Sequence, residues 1–218
     1  MVRLPPPIVG VTPGVAGPQG VDGLVRQVEV AVAAGLEGLL LREQALEDGL
    51  LYALALECRG LMGAGWLAIS DRAHVALRCE ADAVQLGFRS LGASEARVFE
   101  EGSRESALGR RLAVGVSDHA LPRREDLEFA DFATLAPWAE VPGKGPPLGV
   151  EGFRAYLADR LREGRARPTW ALGGIGPNDL SSVRDAGAQG AFVIRGMDWD
   201  GRPDLAVEKL LDAWEDSA

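Results

Sequence analysis

The chain has 218 residues, 47% of them hydrophobic and 25% charged, which suits one substantial core and a single domain spanning 1–218. Lys plus Arg number 23 against 32 Asp plus Glu, a net charge of −9, which argues against nucleic acid or an anionic membrane as partner. A phosphorylated small molecule stays open, because backbone amides and a local cation can hold a phosphate inside an acidic protein.

The first ten residues, MVRLPPPIVG, lack the apolar run of a signal peptide, and no window reaches the roughly 18 apolar residues of a membrane span. Cys58 and Cys79 form no CxxC pair, and His74 and His119 have no zinc spacing. The expectation is therefore no structural metal and a reducing, cytoplasmic setting.

Short, nearly continuous apolar runs predict buried parallel strands at 8–12, 38–42, 66–70, 82–86, 112–117, 130–136, 168–172 and 190–194. Amphipathic segments separate them. VDGLVRQVEVAVAAG places Leu24, Val25, Val28, Ala31 and Val32 on one face and ends at Gly35. Further helices are expected over 46–65, 72–80, 92–102, 150–164 and 178–188, with a weak, polar one at 122–129. A last helix covers about 203–215, outside a core of about 8–197. Eight strands, each followed by a helical pattern, give the arithmetic of an α/β fold of the (β/α)8 TIM-type barrel class; an open doubly wound sheet is the competitor. The stretch 137–150, rich in proline and glycine, reads as a long loop over the sixth strand, on the face where barrels build their chemistry.

Candidate site residues fall at strand ends. Arg42 closes the second strand and Lys144 lies in the 137–150 loop; each could be a solvated charge or a phosphate ligand. Asp71, at the mouth of the third strand, could cap a short helix, hold a substrate amine or ligate a metal. Ser117, Asp118 and His119 fall where the fifth strand leaves the barrel. An imidazole there suits proton transfer near neutral pH, whereas His74, inside a helical pattern, reads as structural. In ALGGIGPND, Gly173 and Gly174 end the seventh strand and run into a capped helix. The pair is either a plain left-handed turn or a phosphate cradle, with Gly196 beyond the eighth strand as a further donor.

In this order the pieces VGVT, LLLRE, AISDRAHVAL, ADAVQLG, GVSDH, GKGPPLG and ALGGIGPND…AGAQGAFVIRGM resemble the thiamine-phosphate synthase/TenI superfamily, from about Ile8 to Met197. The resemblance implies a barrel that binds phosphorylated precursors of thiamine. One branch joins a pyrimidine diphosphate to a thiazole phosphate with magnesium. The TenI branch includes a thiazole tautomerase, which moves a proton to make the aromatic ring. Against the synthase pattern, Leu40 and Gln44 replace a Gln and a Lys around the retained Arg42. Ser70 replaces an Asn beside Asp71, Ser90 replaces the second metal carboxylate, and Phe88 is bulky. Val141 stands for a Thr, Lys144 and Ser117 match, and Arg195 replaces a small Ser. Gln85 is a TenI-like choice, and His119 aligns with the histidine that a tautomerase uses.

These residues imply a small phosphorylated thiazole as ligand, bound by Gly173, Gly174, Gly196, Arg42, Ser117, Lys144 and Arg195, with His119 catalytic. No cofactor is expected, and magnesium at Asp71 only under the synthase alternative. Thiazole tautomerase is the leading expectation, with thiamine-phosphate synthase and a non-catalytic phosphometabolite-binding or regulatory protein as alternatives. Barrels of this kind often pair, which leaves a homodimer open.

Overall fold

The predicted strand runs become eight short strands, β1 (Ile8–Val11), β2 (Gly38–Leu41), β3 (Trp66–Ser70), β4 (Ala83–Leu86), β5 (Ala113–His119), β6 (Phe132–Ala136), β7 (Thr169–Leu172) and β8 (Ala191–Val193). The computed structural model describes residues 2–14, 20–87, 90–102, 111–119 and 126–216. Every neighbouring pair is parallel, and β8 pairs back onto β1 through Ile8↔Ala191, Val9↔Phe192 and Gly10↔Val193, so the sheet closes as a barrel. The open doubly wound sheet is excluded by that pairing.

Among the described residues, seven α-helices surround the barrel: α1 (Val21–Ala33), α2 (Asp48–Met62), α3 (Ala73–Arg78), α4 (Ala93–Gly102), α5 (Gly149–Arg162), α6 (Leu180–Asp185) and α7 (Pro203–Glu215). On α1, Leu24, Val28 and Ala31 are buried against the sheet, with Val25 and Val32 packed partly on the same core, as the 3.6-residue period requires. Among the described residues, no helix is long and apolar enough to cross a membrane. Where a polar helix was expected at 122–129, a 3-10 turn occupies Asp126–Phe129; the preceding residues of that segment lie outside the described ones.

Strand alternation separates two cores. Side chains turned outward from the sheet meet the helices, whereas Val9, Val11, Leu40, Ala68, Ala83 and Ala113 fill the barrel interior with four aromatic rings. Trp66, Phe132, Trp170 and Phe192 meet edge-to-face or stacked with centroids 5.7–6.3 Å apart. Trp66, Phe132 and Trp170 stand at the first or second residue of their strands and plug the N-terminal end, and Phe192, in three-residue β8, packs on Trp66 and Phe132 above them. The proline-rich N-terminus seals the same end. Trp66 Nε1 donates to the Arg3 carbonyl at 3.2 Å, Trp170 Nε1 to that of Pro6 at 2.9 Å, and the Ala191 N–H to that of Pro7 at 2.7 Å. Proline suits this role, since those segments offer carbonyls without needing N–H partners of their own.

Asp82 pins the same end. Its carboxylate accepts from Arg59 at 3.0 Å and from the Leu67 N–H at 2.9 Å, and its other oxygen lies 3.6 Å from Arg3. With the N-terminal end closed by bulk, the open end is left to small and polar interior residues, namely Gly115, Ser117, Thr134 and Gln85. A Cβ on Gly115 would stand 2.2 Å from the Phe132 ring and 2.3 Å from Gln85 Oε1, so only glycine fits there.

Both thiols are buried among the helices. Burial pushes Cys58 up to about 12 and Cys79 up to about 11. Because the thiolate is the reactive form, neither should react with a thiol reagent at pH 8 in the folded protein. Both should titrate after denaturation, and a colorimetric thiol count before and after unfolding checks this.

Candidate functional site

A parallel barrel sends the C-terminal ends of all its strands to one rim. Arg42, Asp71, His119, Lys144, Gly173, Gly174, Arg195 and Gly196 all lie at or just beyond those ends. They do not all share one cavity.

A cavity of about 600 Å³ lies over β7 and β8, lined by Val141, Gly173, Gly174, Ile175, Gly176, Asp179, Phe192, Ile194, Arg195 and Gly196. Its walls follow from the glycines. Gly173 and Gly174 both take the left-handed backbone, with φ of +98° and +75°. A Cβ on Gly173 would stand 3.2 Å from Pro137 Cα, and one on Gly174 would stand 2.9 Å from Ala139 Cβ. The 137–141 loop therefore rests directly on the turn, tied by hydrogen bonds from Trp138 N to the Leu172 carbonyl and from Ala139 N to the Gly173 carbonyl, each 2.9 Å. Gly196 is equally tight, since a Cβ there would be 2.8 Å from the Ile175 carbonyl.

Among the described residues, the N–H groups of Gly174 and Ile175 make no intramolecular hydrogen bond. Successive unpaired amides in a left-handed turn form an anion-binding concavity. Arg195, exposed on the 3-10 turn Arg195–Met197, lines the same cavity, and its guanidinium has no partner among the described residues. Two details differ from the sequence expectation. The turn leads into a 3-10 turn (Pro177–Asp179) and then the six-residue α6, so the helix contributes little dipole. The Gly176 N–H is already taken by Asp179 Oδ2 at 2.8 Å, which also brings a carboxylate to the cavity wall.

His119 lies at the end of β5, not in a loop: the strand runs through Ser117 and Asp118 and pairs His119 with Ala136. The extra length comes from side-chain bonds on both faces. Inward, Ser117 Oγ meets Gln85 Nε2 at 3.1 Å and Thr134 Oγ1 at 3.3 Å, and Gln85 Nε2 also donates to Thr134 at 3.2 Å. Gln85 Oε1 is buried with no hydrogen-bond partner among the described residues. Outward, Asp118 is fully buried and takes the Tyr156 hydroxyl at 2.6 Å together with the Arg160 guanidinium. His119 shares the inner side with Ser117 by alternation. Its Nδ1 donates to the Ala136 carbonyl at 3.1 Å. Pro137, the next residue, is the one packed on Gly173. His119 and the cradle therefore flank the same strand end, about 10 Å apart by two strand spacings.

Asp71 adopts a left-handed backbone, φ 66°. Its Oδ1 accepts from the Gly87 N–H at 3.1 Å and from Ser90 Oγ, and its Oδ2 from Ser70 Oγ at 3.2 Å. Among the described residues no group of three or more His, Cys, Asp or Glu side chains could hold a metal ion. Asp71 is thus a single carboxylate with Ser70 and Ser90 as its side-chain neighbours. Phe88, which the resemblance places beside it, lies outside the described residues.

Arg42 turns toward the first strand: its N–H donates to Thr12 Oγ1 at 2.8 Å and its guanidinium lies over Gly14, 3.4 Å from the Pro13 carbonyl. Lys144 is exposed in the loop. Neither lines the cavity, nor do Ser117, His119 and Asp71. His74, on α3, bonds Asp48 at 2.8 Å. Sequence reasoning missed Asp179, the apolar wall of Ile175, Phe192 and Ile194, and the outward turn of Asp118. Period-two alternation from buried Val114 and Val116 carries the signal for the last.

The family model described as thiamine monophosphate synthase matches residues 15–197. A thiamine-phosphate synthase of Syntrophomonas wolfei is 32% identical over 203 residues, covering 88% of this chain and 89% of that protein. One of Gloeobacter violaceus is 32% identical over 180 residues, covering 80% of this chain and 49% of that protein. The chain spans about half the length of this and two further curated relatives it matches. Among solved structures, a thiamine phosphate pyrophosphorylase from Pyrococcus furiosus superposes with a TM-score of 0.77 over 96% of each chain, at 22% identity, which shows the shared fold. None of these matches singles out the TenI branch.

Gly174→Ala should destabilise the protein by about 1–2 kcal/mol through the left-handed backbone alone, and more if the 139–140 backbone cannot move aside. Gly176→Ala is the control: its φ is −129°, and the nearest atom to a new Cβ is Asp179 Oδ2 at 3.8 Å. It should be close to neutral. Urea unfolding of both variants measures the difference.

Proposed function

Because the chain belongs to the thiamine monophosphate synthase family, we propose that it binds a thiazole phosphate at the rim of the barrel and acts on it in the formation of thiamine phosphate. The observation that carries the proposal is the cavity over β7 and β8. Unpaired amides of Gly174 and Ile175 and the guanidinium of Arg195 converge there on a space large enough for a small ester. Hydrogen bonds from backbone amides and a planar guanidinium suit a phosphate monoester. The apolar faces of Ile175, Phe192 and Ile194 suit the organic part.

Two reactions are open to a ligand held there. Condensation with a pyrimidine diphosphate is the reading the relatives favour, since those matched across most of their length carry the synthase name. It has the broader support, and the comparisons do not back the tautomerase expectation. One observation of this chain favours proton transfer as the second reading. Asp71 is bonded to Ser90, Gly87 and Ser70, where a diphosphate reaction needs cation-binding carboxylates. Proton transfer needs only His119. With Nδ1 bonded to a carbonyl, the basic nitrogen of the neutral ring is Nε2. In that reaction the imidazole takes a proton from the ring carbon of the thiazole and returns one to the exocyclic carbon, with no net change in charge.

One experiment separates the readings. The protein is given the non-aromatic thiazole phosphate tautomer alone, and then with the pyrimidine diphosphate, with and without magnesium. Absorbance follows aromatisation and a coupled assay follows pyrophosphate. Pyrophosphate release that needs both precursors establishes condensation. Aromatisation without the pyrimidine establishes proton transfer, and His119→Ala should then slow it by about 10²–10⁴-fold. Binding without turnover of either kind identifies a phosphometabolite-binding protein. Under all three, Arg195→Ala should weaken binding of the thiazole phosphate about tenfold, the equivalent of about 1.4 kcal/mol, by calorimetry.

A further inference from the structure

Behind β5, on the side away from the ligand cavity, sits a buried charged cluster that touches the peptide of His119. The Asp118 and Arg160 side chains are 0% and 2% exposed. Asp118 Oδ2 accepts from Arg160 and from the Tyr156 hydroxyl at 2.6 Å. Arg160 also pairs with Glu163 at 3.2 Å and lies 5.3 Å from the centre of the Tyr156 ring. Asp118 Oδ1 accepts the backbone N–H of His119 itself at 2.8 Å. On the other flank of the same residue, the His119 ring donates from Nδ1 to the carbonyl of Ala136, its partner in the last pair of the β5–β6 ladder.

A buried ion pair is a poor way to gain stability, because the desolvation of both charges offsets their attraction, and apolar residues of the same volume often serve the contact as well. The ends of strands fray. A carboxylate that holds the last peptide N–H of β5, and is itself held by two groups of α5, opposes fraying at the position where the imidazole finds its acceptor. A carbonyl oxygen can only accept, so while the pairing holds, the proton is on Nδ1.

We propose that Asp118, with Tyr156 and Arg160, is a positioning clamp. It fixes His119 as the Nδ1–H tautomer and so makes Nε2 the proton-accepting nitrogen, an inference that rests on the reading of His119 as the acid–base group.

The test reads the ring directly, in the full chain without ligand. In protein labelled with 15N-histidine, the two histidines are assigned by His119→Ala, and the long-range 15N–1H spectrum reports which ring nitrogen carries the proton. The wild type should show His119 almost wholly as the Nδ1–H form at a pH where the ring is neutral. Tyr156→Phe, which removes one hydrogen bond and keeps the packing, should shift it toward a mixture of tautomers. Asp118→Asn, if it folds, should shift it further. The same variants should lower kcat for aromatisation by up to about 10²-fold with KM for the thiazole phosphate unchanged, because the cradle lies on β7 and β8. A folded Tyr156→Phe protein with the wild-type His119 spectrum and kcat overturns the clamp. A wild-type rate in His119→Ala overturns the acid–base reading beneath it, and with it the catalytic purpose of the clamp, whatever tautomer the spectrum shows.

Discussion

The hydrogen bonding of β8 to β1 is the constraint on which the remaining geometry rests. It leaves the barrel sheet without an unpaired edge and fixes eight parallel strands in one ring. In a closed parallel ring every strand leaves by the same rim, so residues far apart in sequence, from Arg42 to Gly196, are brought to one face. The ring also divides side chains into inner and outer sets, and the two ends receive different inner sets. Trp66, Phe132, Trp170 and a proline-rich segment close the N-terminal end. Glycine, serine, threonine and glutamine remain at the other, where a ligand needs room.

The rim is chemically asymmetric. Over β7 and β8 the cavity wall is largely backbone: the glycines are left-handed, and the 137–141 loop packs on them closely enough to forbid a side chain without movement. Over β3 and β4 the side chains satisfy one another, with Asp71 accepting from Ser70, Ser90 and the Gly87 amide. A carboxylate surrounded by donors is stable without a cation. The first region presents backbone N–H groups to a cavity, whereas the second is an internally hydrogen-bonded turn. Between them His119 is held through its ring by β6 and through its peptide by Asp118.

The buried cluster of Asp118, Tyr156 and Arg160 shows how strongly the interior ties these groups together. Burial, followed by the Asp118 carboxylate, pushes the Tyr156 phenol above its ordinary value. Burial opposes the charge on Arg160, yet hydrogen bonds to Asp118 and Tyr156 raise its guanidinium above the ordinary value. The phenol therefore stays neutral and the guanidinium charged at physiological pH.

Much of this was legible in the sequence, for particular reasons. Buried parallel strands must be apolar on both faces, so runs such as WLAIS, FATLA and AFV stand out, and their count with the intervening helical periods implies a barrel. The pair Gly173-Gly174 was legible because no other residue takes that backbone so readily, and the two do line the cavity with Gly196 and Arg195. Lys144, Arg42 and Ser117 were chosen for charge or for resemblance, and residue type says nothing about direction. Arg42 turns to Gly14, Ser117 faces Gln85 and Thr134, and Lys144 stays in its exposed loop. By itself, then, the sequence determined the eight alternating strand–helix units of an α/β fold, the left-handed turn and the chemical repertoire of the rim, since these follow from local periodicity and from what each residue type permits; closure of the ring came from the β8–β1 pairing. Tertiary structure alone decided that Asp118 meets Tyr156 and Arg160 of α5, that Asp179 accepts the Gly176 N–H and that Asp71 is bonded to serines. Those outcomes depend on which donors long-range packing brings within 3 Å.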